Sequence, residues 1–148
     1  MQYKYQNYTK YVVLTDQRSG SGWLRSMLGS HPKLTDYAEI FLHGLPGLRR
    51  LAAKCHGNEF LTEEGSAHAR SFLEKTKDLP DGAHYEEFWE PAVDMMSHFT
   101  NGNEKAVGFK WMMNQGLDNK VDEAIDYFNE NNFKVVILDR QNLLRQCI

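Results

Sequence analysis

Three runs of β-forming residues limit what this chain can fold into. They are residues 11–14 (YVVL), 106–112 (AVGFKWM) and 133–138 (FKVVIL). Each is apolar on nearly successive positions rather than alternate ones, so both faces of the strand ask to be buried. Between them lie segments with helical spacing, and strands alternating with helices predict βαβ units, a parallel sheet and helices on both of its faces. Residues 22–30 predict a first helix, ended by His31-Pro32 because the residue before proline is driven out of the α region. Residues 45–55 predict a second, starting near Pro46. Residues 62–77 predict a polar helix with Thr62 as N-cap and Glu63 and Glu64 in its first turn. Residues 84–99 carry Phe88, Ala92, Met95, Met96 and Phe99 at helical spacing, and Asn101-Gly102-Asn103 breaks that pattern. Residues 118–131 place Val121, Ala124, Ile125 and Phe128 on one face. Residues 33–42 read as extended or loop, residues 80–82 as a turn, and the chain after Asp139 as a last helical stretch. The expected fold class is α/β in three layers around a central parallel sheet. A mostly helical insertion covers about residues 43–100.

The totals narrow the function classes. A length of 148 residues suits one domain. Hydrophobic residues make up 41%, enough for a substantial core. The net charge of −3 argues against a general nucleic-acid binder, while leaving room for a local basic site for one anion. The two cysteines, Cys55 and Cys147, form no CxxC pair and fit a reducing compartment or two core thiols. The six histidines show no metal-ligand spacing, so no metal is expected. No segment has the length and hydropathy of a signal peptide or membrane span, so the expected location is the cytoplasm or an organelle lumen.

The stretch TDQRSGSGWLRSML follows the first β run directly. In a parallel α/β sheet, ligands sit beyond the carboxyl ends of the strands, where this loop lies. Gly20 and Gly22 let backbone N–H groups approach an anion, and the following helix adds unpaired donors and the positive end of its dipole. Ser19 and Ser21 add hydroxyls, and Arg18 adds a fork of donors matched to phosphate oxygens. The competing reading is a strand-to-helix turn that uses glycine and serine for geometry, with Arg18 as a solvated charge. A triphosphatase P-loop needs GxxxxGK[ST]; here Trp23 follows Gly22, which argues against a P-loop kinase.

The segment QRSGSGWLRSMLGSHPKL, followed by AEIF, resembles the 5′-phosphosulfate loop of sulfotransferases that use 3′-phosphoadenosine 5′-phosphosulfate. The similarity is greatest to the plant and algal, nodulation-type branch. AVGFKWMMNQGL resembles that family's central strand, and KVVILDRQNLLRQCI its 3′-phosphate segment. The resemblance implies a P-loop-like fold and sulfuryl transfer to an acceptor hydroxyl or amine. By motif position, Arg18, Ser19, Gly20, Ser21, Gly22 and Trp23 would hold the 5′ phosphosulfate, and Arg140 the 3′ phosphate. Asp139 and Gln141 depart from the family pattern around Arg140, and Asp139 weakens the local positive field. The family's next serine would fall one residue past Ile148, so the chain is expected to stop inside the motif.

Sulfuryl transfer, like phosphoryl transfer, relies on positioning and charge stabilisation. Arg18 is the first candidate cation. Glu39 is the candidate general base, by the resemblance to sulfotransferases with a glutamate at the matching place; the alternative is a surface carboxylate. Lys110 stands inside an apolar strand, where an unpaired charge is costly, and by its resemblance to a lysine in this region of tyrosyl-protein sulfotransferases would stabilise the bridging oxygen; the alternative is a strand-end lysine reaching solvent. His43 is the reserve base, with His31 also near, against polar surface for both. Trp23 and Trp111 are candidates for stacking on adenine or for the core, and Arg145 for added charge at the 3′ phosphate or a solvated face. The expected partners are the nucleotide donor and a hydroxylated acceptor: a carbohydrate, a small metabolite or a peptide. A half-built sheet would expose apolar surface, which makes a homo-oligomer a further expectation. A binding module of the same fold without turnover is the alternative to an enzyme.

Overall fold

The computed structural model describes residues 8–16, 19–56, 63–83, 89–97, 104–115 and 120–139. Four strands and five helices follow in the order β1 (Thr9–Thr15), α1 (Ser21–Ser30), β2 (Leu34–Glu39), α2 (Gly44–His56), α3 (Glu63–Thr76), α4 (Trp89–Ser97), β3 (Ala106–Met112), α5 (Val121–Glu130) and β4 (Lys134–Leu138). The sheet is parallel throughout, with spatial order β2-β3-β1-β4. The three β runs read from the sequence are β1, β3 and β4. β2 settles the segment read as extended or loop in favour of extended: its residues, LTDYAE, are all half-buried and carry too little apolar pattern to announce a strand.

Register assigns the two faces. Val12 pairs with Phe109 and Leu14 with Trp111, and all four point into one core. That core continues through Leu45, Leu48 and Ala52 of α2, Ala69 and Phe72 of α3, Trp89, Val93 and Met96 of α4, and Ala124 and Phe128 of α5. Trp111 sits at its centre, with ring centroids 4.2 Å from Phe41, 5.5 Å from Trp89 and 6.2 Å from Phe128. The opposite face carries Tyr11, Val13 and Thr15 of β1 beside Gly108, Lys110 and Met112 of β3. Tyr11 lies against Gly108, where any Cβ would overlap its ring and carbonyl oxygen. Helix α1 lies on this second face, tied to β2 by the Arg25–Asp36 ion pair at 2.8 Å. Helices therefore lie on both faces of the sheet, as the sequence predicts.

Two expectations are corrected. α1 turns Trp23 (71% exposed) and Met27 to solvent, so the core alternative for Trp23 does not hold. In β4, Val136 and Ile137 are also exposed. Among the described residues β4 pairs only with β1, so an apolar run that suits a central strand stands at an edge. Helix α1 ends at Ser30 with His31 extended, as the following proline requires. Thr62, Phe88, Phe99, the 101–103 break, Cys147 and the stretch after Asp139 lie outside the described residues. No helix of the described residues is long and apolar enough to cross a membrane.

Candidate functional site

The centre of the sheet creates a crevice. From the carboxyl end of β1 the chain turns into α1 on one face; from the neighbouring end of β3 it goes on to α5 on the other. Adjacent strands whose connections leave to opposite faces open a gap at their carboxyl ends. Residues 19–22 follow the carboxyl end of β1 and open α1. Gly20 caps α1 with φ 90°, a left-handed backbone that favours glycine. Its carbonyl accepts the N–H groups of Trp23 at 3.1 Å and Leu24 at 3.3 Å. By helix geometry, the N–H groups of Ser21 and Gly22 point out of the helix end. The cap supplies no side-chain hydrogen bond, and the first turn holds no acid. A Cβ at Gly22 would meet nothing within 4 Å, so packing does not explain this glycine. The Ser19 and Thr15 hydroxyls share a hydrogen bond, which anchors the loop to the end of β1.

On the β3 side, Lys110 is buried and its Nζ donates to Glu39 Oε1 at 2.6 Å. The side chains are 8% and 18% exposed, so the pair is largely removed from water. An irregularity in β2 makes it possible. Asp36 aligns with Gly108, but Glu39, not Ala38, aligns with Lys110. The extra residue is taken up at Ala38, whose φ is 65°. In unbroken register Ala38 would share the face of Lys110, and Glu39 would point toward the Trp111 core. The bulge re-aims the acid. Asp36 secures it by accepting the Ala38 N–H at 3.0 Å while holding Arg25. Tyr11 donates to the same carboxylate at 3.4 Å; burial and Asp36 push its phenol above the ordinary range.

Burial alone would raise the Glu39 carboxyl. The hydrogen bond and charge of Lys110 outweigh it, helped by Gln115 and by the charge of Arg25, and the carboxyl lies below its usual range. Gln115 Nε2 donates to Glu39 Oε2 at 3.3 Å, while the Gln115 carbonyl accepts the Trp111 indole N–H at 2.7 Å. Glu39 is therefore an oriented, ionised carboxylate at neutral pH.

No family model, curated protein or solved structure matches this chain.

The fold brings Glu39 and Lys110 into direct contact and sets Ser19, Gly20, Ser21 and Gly22 at the neighbouring strand end. Lys110 does not reach out to solvent as a strand-end lysine would. Trp111 is fully buried and its indole N–H is taken, so adenine stacking is corrected to a core role. Trp23 stands at the surface beside the loop. His31 is exposed, and its Nδ1 accepts the Lys33 N–H. His43 lines a pocket of about 410 Å³ together with Glu39. Arg18, Arg140 and Arg145 lie outside the described residues. Arg25, Asp36 and Gln115 were not singled out by the sequence, because their roles depend on contacts across elements; Arg25 and Gln115 carried a signal only in lying within QRSGSGWLRSMLGSHPKL and AVGFKWMMNQGL. No group of three metal-ligating side chains occurs among the described residues.

Proposed function

We propose that this chain binds 3′-phosphoadenosine 5′-phosphosulfate and directs its sulfuryl group to an acceptor hydroxyl, on a P-loop-like α/β frame. The observation that carries the reading is the pairing, toward the carboxyl ends of neighbouring strands, of an acid-free helix N-terminus, opened by Gly20 and Gly22, with the buried Glu39–Lys110 pair. The described half of the site suits the 5′ end of such a donor. Backbone N–H groups and the serine hydroxyls offer the directional donors that phosphate and sulfuryl oxygens accept. The sequence motif adds Arg18 to this end and Arg140 to the 3′ phosphate.

The chemistry then divides among the chain's own groups. The acceptor oxygen bonds to sulfur as the sulfur–oxygen bond to the 5′ phosphate breaks, and the acceptor's proton passes to the Glu39 carboxylate. A carboxylate of lowered basicity takes that proton late, once the acceptor oxygen has become acidic. As Glu39 is neutralised, the Lys110 ammonium loses its counter-charge and is released to stabilise the leaving phosphate oxygen.

A second reading, a nucleotide-binding module without turnover, is favoured by one observation: Glu39 is already committed to Lys110 and Gln115. One experiment separates the readings. Thermal unfolding is followed with 3′,5′-adenosine bisphosphate and with ATP plus magnesium, and transfer of radiolabelled sulfate to a panel of hydroxylated acceptors is followed in parallel. The proposal expects stabilisation by the bisphosphate. It also expects transfer that falls roughly 100-fold or more in Glu39→Gln. Bisphosphate binding without transfer leaves the binding module. Stabilisation by ATP alone overturns both readings in favour of a nucleotide kinase.

A further inference from the structure

The pocket beside Glu39 has a chemical bias of its own. It is built from one continuous stretch, running from the end of β2 into α2, and is lined by Tyr37, Glu39, His43, Arg50, Leu51 and Lys54 among others. Its volume of about 410 Å³ is of small-ligand size. Arg50 and Lys54 lie four residues apart on α2 and therefore on one helix face, with Leu51 between them. Neither forms an ion pair among the described residues; Arg49, the neighbouring arginine, is instead held by Asp81 and the Leu79 carbonyl. Glu39 does not neutralise Arg50 and Lys54, because its charge is matched by Lys110. The pocket thus holds two cations that have no ion pair among the described residues, together with an oriented carboxylate. His43 is packed in at the pocket's end by Gly47, where a Cβ would press on the His43 Cβ.

We infer that this pocket receives a hydroxylated anion about one or two sugar rings in size, with its carboxylate or ester anion on Arg50 and Lys54 and a hydroxyl directed at Glu39. The inference rests on the sulfuryl-acceptor reading of Glu39, and it names the class of acceptor: an acidic saccharide unit or similar hydroxy acid. A neutral sugar would leave both cations unpaired. A carboxylate placed nearer Glu39 would meet like charge. The anion therefore belongs at the α2 side and the hydroxyl at the β2 side, and this polarity orients the ligand.

The test is calorimetric titration of the full chain at low ionic strength, without any sulfuryl donor. The probes are a glucuronate-containing chondroitin tetrasaccharide and the same tetrasaccharide with its carboxylates reduced to alcohols. The acidic form is expected to bind at least roughly tenfold tighter, because charge-assisted hydrogen bonds to its carboxylates are lost in the reduced form. The double variant Arg50→Ala/Lys54→Ala, altered at two exposed positions, should lose that preference and keep any weak binding of the reduced form. Lys54→Ala alone should lose part of it. Equal affinity for the two saccharides, no binding of either, or an unchanged preference in the double variant overturns the inference. So does tighter binding of a tyrosine peptide flanked by glutamates, which would make the acceptor a protein. Because no donor is present, failure here leaves the donor site untouched, and failure of bisphosphate binding leaves this anion preference measurable.

Discussion

Glu39 and Lys110 form the pair on which most of the site's electrostatics turns. A largely buried ammonium deprived of its carboxylate costs more than the pair itself contributes, because desolvation is then unopposed. Glu39→Gln should therefore destabilise the chain by about 1–3 kcal/mol. Lys110→Met in the same chain should return most of that loss, since it removes the stranded charge. Denaturant unfolding of the two single variants and the double variant measures the coupling. The pair also sets a pH dependence. The Glu39 carboxyl lies below its ordinary range when folded and returns to it on unfolding, so the unfolded chain binds more protons over the interval between the two values. Stability from this pair is complete above the ordinary carboxylate value and falls as pH drops through the lower, folded one. Acid unfolding of the wild type should show that extra loss, and the Glu39→Gln/Lys110→Met chain should not. A double variant that regains stability but not transfer distinguishes a chemical role for the Glu39–Lys110 pair from a structural one.

At the scale of elements, the loop after β1 depends on one backbone angle. Gly20 at φ 90° is followed directly by a helix with no side-chain cap. Gly20→Ala should cost about 1–2 kcal/mol, the penalty for a left-handed alanine. It should also weaken nucleotide binding, because the helix end is re-aimed; thermal unfolding with and without 3′,5′-adenosine bisphosphate reads both effects. Most elements were legible in the sequence because their patterns are local. YVVL, AVGFKWM and FKVVIL mark β1, β3 and β4, and the spacing of Val121, Ala124, Ile125 and Phe128 marks the buried face of α5. β2 was legible only as extended or loop, since LTDYAE becomes a strand through its pairing with β3 and through a bulge that no local propensity encodes. For the same reason the sequence could name Glu39 and Lys110 separately but not their contact, which joins residues 71 apart. It could not foresee that Trp23 faces solvent either, because a helical stripe does not say how much of it the sheet covers.

At the scale of the molecule, the helical insertion and the sheet share one interior. Phe72 of α3 and Trp111 of β3 belong to the same buried cluster, bridged by α2 and α4. The insertion is thus part of the core that holds β3 in place. Phe72→Ala should cost about 3–5 kcal/mol. Tryptophan fluorescence and far-UV circular dichroism should then fall in one shared transition, as expected of a two-state unit. Separate transitions would mark the insertion as an independent layer. The same interior explains the placing of the pocket, because α2 turns Leu45, Leu48 and Ala52 into the core and leaves Arg50 and Lys54 on its outer side. The bulge in β2 has a wider consequence. Along a strand, orientation is a matter of parity: odd positions face one way and even positions the other. The additional residue at Ala38 switches that parity once, just before the strand ends. Which charge this protein presents at its sheet edge is thus settled by counting residues: the same residues paired without the extra one set aside would bring the acid opposite Trp111 and leave Lys110 facing an alanine.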